Sequence, residues 1–128
     1  MINNNIQEPY CSFEVSKLLS EKGFDCGNPK TAYTKDGVNK ISPYSSFYDP
    51  YKYPILDCTH ALAIEWIRVN FEIICTYTTP TKINNKWLFG GKIFSMKNEG
   101  DNIVIGAFNS PQEAIEEALL YTLKNLIK

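Results

Sequence analysis

Apolar residues recur at helical spacing in three stretches of the chain and alternate with polar ones in three more. In the first helical stretch, SFEVSKLLSEKGF, Val15, Leu18 and Leu19 share one face. Ser12 stands where an N-cap hydroxyl accepts a free amide, and Gly23 where a helix ends left-handed, with Phe24 placed to pack back on Leu19. The second, THALAIEWIRVN, carries Leu62, Ala63, Trp66, Ile67 and Val69 as a wide core-facing stripe. Asp57 or Thr59 caps it, Asn70 suits its exit, and Glu65 and Arg68 make a surface pair. The third opens on Ser110-Pro-Gln-Glu113, a capping box with proline at the first helical position. Its stripe is Ile115, Ala118, Leu119, Thr122, Leu123 and Leu126. Glu113, Glu116 and Glu117 load its start and Lys124 and Lys128 its end, as the helix dipole prefers and as a solvated face requires.

Alternation begins where the second helix stops. Phe71, Ile73, Cys75 and Tyr77 fall on one face of a strand. Pro80 and the pair Asn84-Asn85 signal a turn. A second strand over 86–96 sets Trp87, Phe89, Gly91 and Ile93 against Leu88, Gly90, Lys92 and Phe94, and Gly90-Gly91 within it predicts a bulge or bend. A turn at 97–102 leads to a third strand at 103–108. Earlier, 31–34 and 38–41 can pair as a short hairpin across Lys35-Asp36-Gly37. The expected fold is α+β: a three-stranded antiparallel meander in α-β-β-β-α order with two helices on one face, plus an N-terminal helix and an aromatic loop. Both faces of the first two strands carry large apolar residues, so that helix and loop are expected to cover the second face. Residues 1–10 read as a flexible tail, and 11–128 as a single α+β domain.

The aromatic loop, SPYSSFYDPYKYP at 42–54, breaks the pattern. Tyr44, Phe47, Tyr48, Tyr51 and Tyr53 are interleaved with Pro43, Pro50 and Pro54, which deny it a regular helix or central strand. These five rings are the candidate binding residues, for a protein partner, a ligand or unstacked bases. The competing role is as a cover for the sheet, because large rings are costly to leave in water.

Charge narrows the partners. Thirteen basic and fourteen acidic residues nearly cancel, so no long-range field draws nucleic acid to the chain. Cys11, Cys26, Cys58 and Cys75 show no CxxC spacing, so no metal site is assigned and four buried or half-buried free thiols are expected. The start, MINNNIQEPY, lacks a signal peptide's charged and apolar regions, and no apolar run reaches the roughly 18 residues of a membrane span. A reducing cytoplasm is the expected compartment, with no membrane partner.

A catalytic set needs nucleophile, base and orienting group within hydrogen-bond reach. His60 is the single histidine, and Asp57, Cys58 and Thr59 precede it, so a Cys–His pair is conceivable. Neighbours at a helix start point apart, however, and capping already accounts for Asp57 and Thr59. No catalytic residue and no cofactor are assigned. Lys82, Lys86, Lys92 and Lys97 gather around the second strand beside Trp87 and Phe94. They read as a modest nucleic-acid surface or, more simply, as lysines guarding a sheet edge.

CSFEVSKLLSEKGF at 11–24, ALAIEWIR at 61–68 and EAIEEALLYTLKNLI at 113–127 together resemble a family of small uncharacterised proteins carried by phages and prophages of Bacteroides-type gut bacteria. That family often has Pro-Thr where this chain has Cys58-Thr59. The resemblance implies a shared fold and a phage origin, and assigns no site residue. The α-β-β-β-α order is also similar to that of double-stranded-RNA-binding domains, which grip phosphates with a basic start to the last helix. Here that start, SPQEAIEE, is acidic, which disfavours nucleic acid. The expectation is a non-enzymatic phage or prophage accessory protein that binds another protein in the bacterial cytoplasm and can self-associate through sheet or loop. The alternative is a small nucleic-acid-binding or regulatory module using the Lys/aromatic surface. A small hydrolase built around His60 stands third.

Overall fold

The helix ends form as their residues dictate. A computed structural model describes residues 8–97 and 101–127. Helix α1 spans Phe13–Glu21, with Ser12 Oγ accepting the Val15 amide at 3.2 Å. Gly23 takes φ +94°, and Phe24 N–H returns to Leu19 O at 3.0 Å, the left-handed ending expected for it. The Phe24 ring lies edge-on to Trp66. Helix α2 spans His60–Phe71 and is capped by Thr59, whose Oγ1 accepts from Leu62 N. Asp57 does not cap it. Its buried Oδ1 accepts the amides of Lys30 and Thr31 at 2.8 and 2.9 Å, fixing the loop before the first strand.

Helix α3 spans Pro111–Tyr121, with Ser110 Oγ accepting from Glu113 N. A π-helical turn, Thr122–Leu126, follows it and closes with Ile127 N–H on Thr122 O at 3.1 Å. The wider turn rotates the apolar stripe by about one residue. Ile127 is therefore buried, and Leu126, expected in the core, is exposed. Ser110→Ala is expected to lower stability by about 1 kcal/mol by leaving the Glu113 amide without its acceptor, measured by urea unfolding.

Two sheets are present among the described residues. A small one joins β1 (Ala32–Tyr33), β2 (Lys40–Ile41) and β3 (Ile55–Leu56) in the order β2-β1-β3, all antiparallel. The hairpin across Asp36-Gly37 thus forms, and it gains a third strand. The main sheet has four strands: β4 (Ile73–Tyr77), β5 (Thr81–Ile83), β6 (Lys86–Ser95) and β7 (Asp101–Phe108). β6 pairs antiparallel with each of the other three. Three strands were expected; the fourth, β5, forms because Asn84 and Asn85 both take positive φ and close a tight hairpin. The irregularity expected at Gly90-Gly91 is present, with the bulged residue on the facing strand. Between the pairs Phe89↔Phe108 and Gly91↔Ile105 the extra residue belongs to β7, where Gly106 has φ +65°.

Pairing sorts the faces. Ile73 and Cys75, Gly91 and Ile93, Ile103 and Ile105 lie on one face. There the core forms with Val15 and Leu19 of α1, Ala63 and Ile67 of α2, and Ala118, Leu119 and Leu123. Helix α1 packs on α3, the π turn and β3, on this same side. It does not cover the second face, as the sequence had suggested. That face, with Ile74, Phe94 and Lys92, stays partly open, and Val104 is 59% exposed. The α2 stripe is narrower than its spacing implied: Ala63 and Ile67 are buried, Trp66 is half-buried, and Leu62 and Val69 are exposed.

Residues 1–7 of the expected tail lie outside the described residues. Its end is held: Tyr10 bridges Thr59, His60 N–H donates to Pro9 O at 3.0 Å, and Cys11 N–H donates to Cys58 O at 2.8 Å.

Candidate functional site

The aromatic loop connects β2 to β3, and three of its five rings face water. Tyr44, Phe47 and Tyr51 are 72%, 83% and 94% exposed; Tyr48 and Tyr53 are half-buried. Each exposed ring follows, by two residues, a small acceptor that holds its amide. Ser42 Oγ accepts from Tyr44 N at 3.2 Å, Ser45 Oγ from Phe47 N at 3.2 Å, and Asp49 Oδ1 from Tyr51 N at 2.9 Å. Backbone turns reinforce them: Ser45 N–H on Ser42 O, Tyr48 N–H on Ser45 O, and Lys52 and Tyr53 N–H on Asp49 O. Tyr44 Oη also bonds Asn28 Oδ1 at 3.2 Å. Serine and aspartate can brace the chain this way without a helix or sheet. The rings are therefore carried on an ordered backbone, and their conformational cost on binding is reduced.

A second assembly is polar and buried, and sequence reasoning set its members aside. The pairing of 9–11 with 58–60 places Cys11 opposite Cys58, and residues opposite one another share a face. Their sulfurs stand 3.8 Å apart. His60, the first residue of α2, is 4% exposed. Helix α3 brings Glu116 over it: Glu116 Oε2 lies 2.6 Å from His60 Nε2, and Oε1 accepts the Ser12 amide at 2.9 Å. The sulfur of Cys11, an imidazole nitrogen and a carboxylate oxygen lie within 4.8 Å of one another. An open depression bounded by Tyr10, Ser12, Phe108, Glu113 and Glu117 reaches both His60 and Glu116.

The electrostatics follow from these contacts. Burial pushes the Glu116 carboxyl up, but hydrogen bonds from His60 and Ser12 together outweigh it and hold the group below its ordinary value. An ionised carboxylate only accepts, so Nε2 carries the imidazole proton in this pair. His60 Nδ1 is then left buried with no hydrogen-bond partner. The Cys11 thiol is raised by its hydrogen bond to Cys58, by burial and by nearby negative groups. That same bond from Cys11 lowers Cys58, against burial and Asp57. The two thiols thus share one hydrogen bond, in which either sulfur can donate. Cys26 sits beside Cys58, its thiol raised by burial.

Glu116 therefore does not belong to a solvated face with Glu113 and Glu117. No local signal marks it, since its partners lie 56 and 104 positions away. The four cysteines are buried and unpaired, as expected. On the lysine surface, Lys82 and Trp87 are register partners, the ammonium lies 5.8 Å from the ring centroid, and Trp87 is 57% exposed. Among the described residues no helix is long and apolar enough to cross a membrane. No protein-family model, curated protein or solved structure matches the chain.

Proposed function

We propose that this protein works without catalysis, by binding another protein through the loop that carries Tyr44, Phe47 and Tyr51. One observation supports this above the rest: the backbone amide of each residue with an exposed ring is held by a side-chain acceptor two residues before it. Rings that merely covered a core would be buried. Rings held out in water on a braced backbone suit a contact surface, where aromatic anchors supply most of the binding energy. Phe47 has no polar atom on its ring, so it is the anchor for an apolar pocket on the partner, with the tyrosines at the rim. The host and compartment proposed are those implied by the resemblance: a phage or prophage accessory protein in the bacterial cytoplasm. Four unpaired thiols are in keeping with a reducing environment. We further read β4 and β5 as one strand bent at 78–80. Thr78 N–H on Gly90 O at 2.9 Å supports this, since it continues the β4–β6 pairing. The sheet then reduces to a three-stranded meander.

The test compares the wild-type chain with a triple variant, Tyr44→Ser, Phe47→Ser and Tyr51→Ser, as baits in bacterial lysate. A defined protein is expected to be retained by the wild type and reduced at least tenfold by the variant, with the melting temperature unchanged within about 2 °C because the rings are solvated. Equal retention by both baits, or none by either, overturns the reading. The lysine surface supports a second reading, because Lys82 lies over the exposed Trp87 ring. Single-stranded oligonucleotide binding that weakens steeply with salt and is lost on Trp87→Ser would replace the first reading by this one.

A further inference from the structure

We propose that Cys11, His60 and Glu116 form a binding site for one divalent cation of the zinc class, which takes the place of the proton joining His60 to Glu116. Three distant parts of the chain converge here: the strand-like entry before α1, the first residue of α2 and the middle of α3. Together they offer one thiol, one imidazole and one carboxylate. That donor set suits zinc, which accepts sulfur, nitrogen and oxygen, and it does not suit calcium or magnesium, which require oxygen ligands.

The distances are close to what the cation needs. Bonds of about 2.0–2.3 Å in a tetrahedron separate neighbouring ligand atoms by roughly 3.3–3.8 Å. The three ligand atoms lie within 4.8 Å of one another, so closure asks for side-chain shifts on the order of 1 Å. The contact from His60 Nε2 to Glu116 Oε2, now 2.6 Å, opens by a few tenths of an ångström or more. The cation's fourth position faces the depression that His60 and Glu116 line, where water can complete the tetrahedron. Cys58, 3.8 Å from the Cys11 sulfur, stands as an outer hydrogen-bonding neighbour.

Packing alone does not account for the cluster. Apolar side chains of similar shape would satisfy the core without burying a hydrogen-bonded imidazole and carboxylate, whereas His60 keeps a buried nitrogen with no partner. The protons balance on loading. The Cys11 thiol proton leaves to solvent. The imidazole proton moves from Nε2 to Nδ1, the unpartnered nitrogen, and Nε2 becomes a ligand. No electron is transferred.

The test uses the whole chain, stripped by chelator and kept in a non-thiol reductant. Zinc ion is titrated against a chromophoric indicator, and cobalt(II) then serves as the optical probe. One equivalent of zinc is expected, and bound cobalt should give a near-ultraviolet thiolate-to-metal band. Cys11→Ser should abolish that band, and His60→Gln and Glu116→Gln should each weaken zinc binding at least tenfold. Cys75→Ser, a buried thiol on the sheet face, should leave both unchanged. Absence of stoichiometric zinc uptake, or a thiolate band that survives Cys11→Ser, overturns the proposal. If the variants fail to fold, the wild-type cobalt spectrum decides: a tetrahedral spectrum with a single-thiolate band supports the site, and a spectrum with no thiolate band refutes it. The aromatic loop takes no part in any of these readings, so either proposal can fail alone.

Discussion

Replacing Gly91 by valine is expected to cost at least about 3 kcal/mol and to leave a chain that is largely unfolded in mild urea. Gly91 sits at the centre of β6, on the face covered by α3. A Cβ there would stand 2.7 Å from the backbone oxygen of Ala114 and 3.0 Å from Ile105 Cγ1. The first of these neighbours is helix backbone, which cannot rotate away. Relief requires α3 to lift from the sheet, and Ala118, Leu119 and Leu123 lift with it. Alanine at the same position makes the Ala114 contact without the added methyls and should cost about 2 kcal/mol. Gly90 is the control. Its added Cβ would meet only side-chain atoms, of Val104 and Thr78 at 3.0 Å and beyond, on the open face. Gly90→Ala should therefore change stability by less than about 1 kcal/mol, in either direction. Equal losses at the two glycines in urea titrations would show that α3 does not rest on Gly91.

The two glycines also show how far the sequence reads. Their presence in a strand correctly marks an irregularity, because a missing side chain either permits a bulge or admits a neighbour. Which of these applies depends on what lies opposite, and that is set by residues far along the chain. Here the neighbour is a helix, and the extra residue belongs to the facing strand at Gly106. The helix starts at Ser12, Thr59 and Ser110 were legible because capping is a transaction within one turn. The α3 stripe was legible as far as Leu123. Leu126 and Ile127 then exchange roles, because a π turn is not written in hydrophobic spacing.

The candidate sites divide in the same way. The aromatic loop announces itself by composition, and its serine and aspartate braces sit only two residues from the amides they hold. Whether those rings are wet could not be read locally, since it depends on where α1 packs. The sequence pattern assigned α1 to the second face of the sheet; the contacts place it against α3 and β3. The Cys11–His60–Glu116 cluster had no local signature at all. His60 was weighed against its immediate neighbours, which do diverge, while its real partners arrive from α3 and from the residues before α1.

That arrangement makes the ionised Glu116 a source of pH-dependent stability in the metal-free protein. Its folded pKa lies below the ordinary 4.5, as hydrogen bonds from His60 and Ser12 favour the charged form over the effect of burial. A depressed carboxyl contributes stability above its unfolded pKa and loses it as pH falls through the folded value. The contribution is thus complete at pH 7 and fades below about pH 4.5. Glu116→Ala removes the acceptor for both Ser12 N–H and His60 Nε2, and should lower stability at pH 7 by about 2–3 kcal/mol. Glu116→Gln retains one acceptor oxygen and the shape, and should lose about 1–2 kcal/mol. Urea unfolding with chelator present, at pH 7 and at a series of lower pH values, separates charge from hydrogen bonding. The gap between wild type and Glu116→Gln should narrow as pH falls below about 4.5 and the carboxylate takes up its proton. Every other carboxylate is common to the two chains and cancels in the difference. A gap that persists undiminished as the carboxylate titrates would mean that Glu116 acts through the hydrogen bonding of its second oxygen and not through its charge.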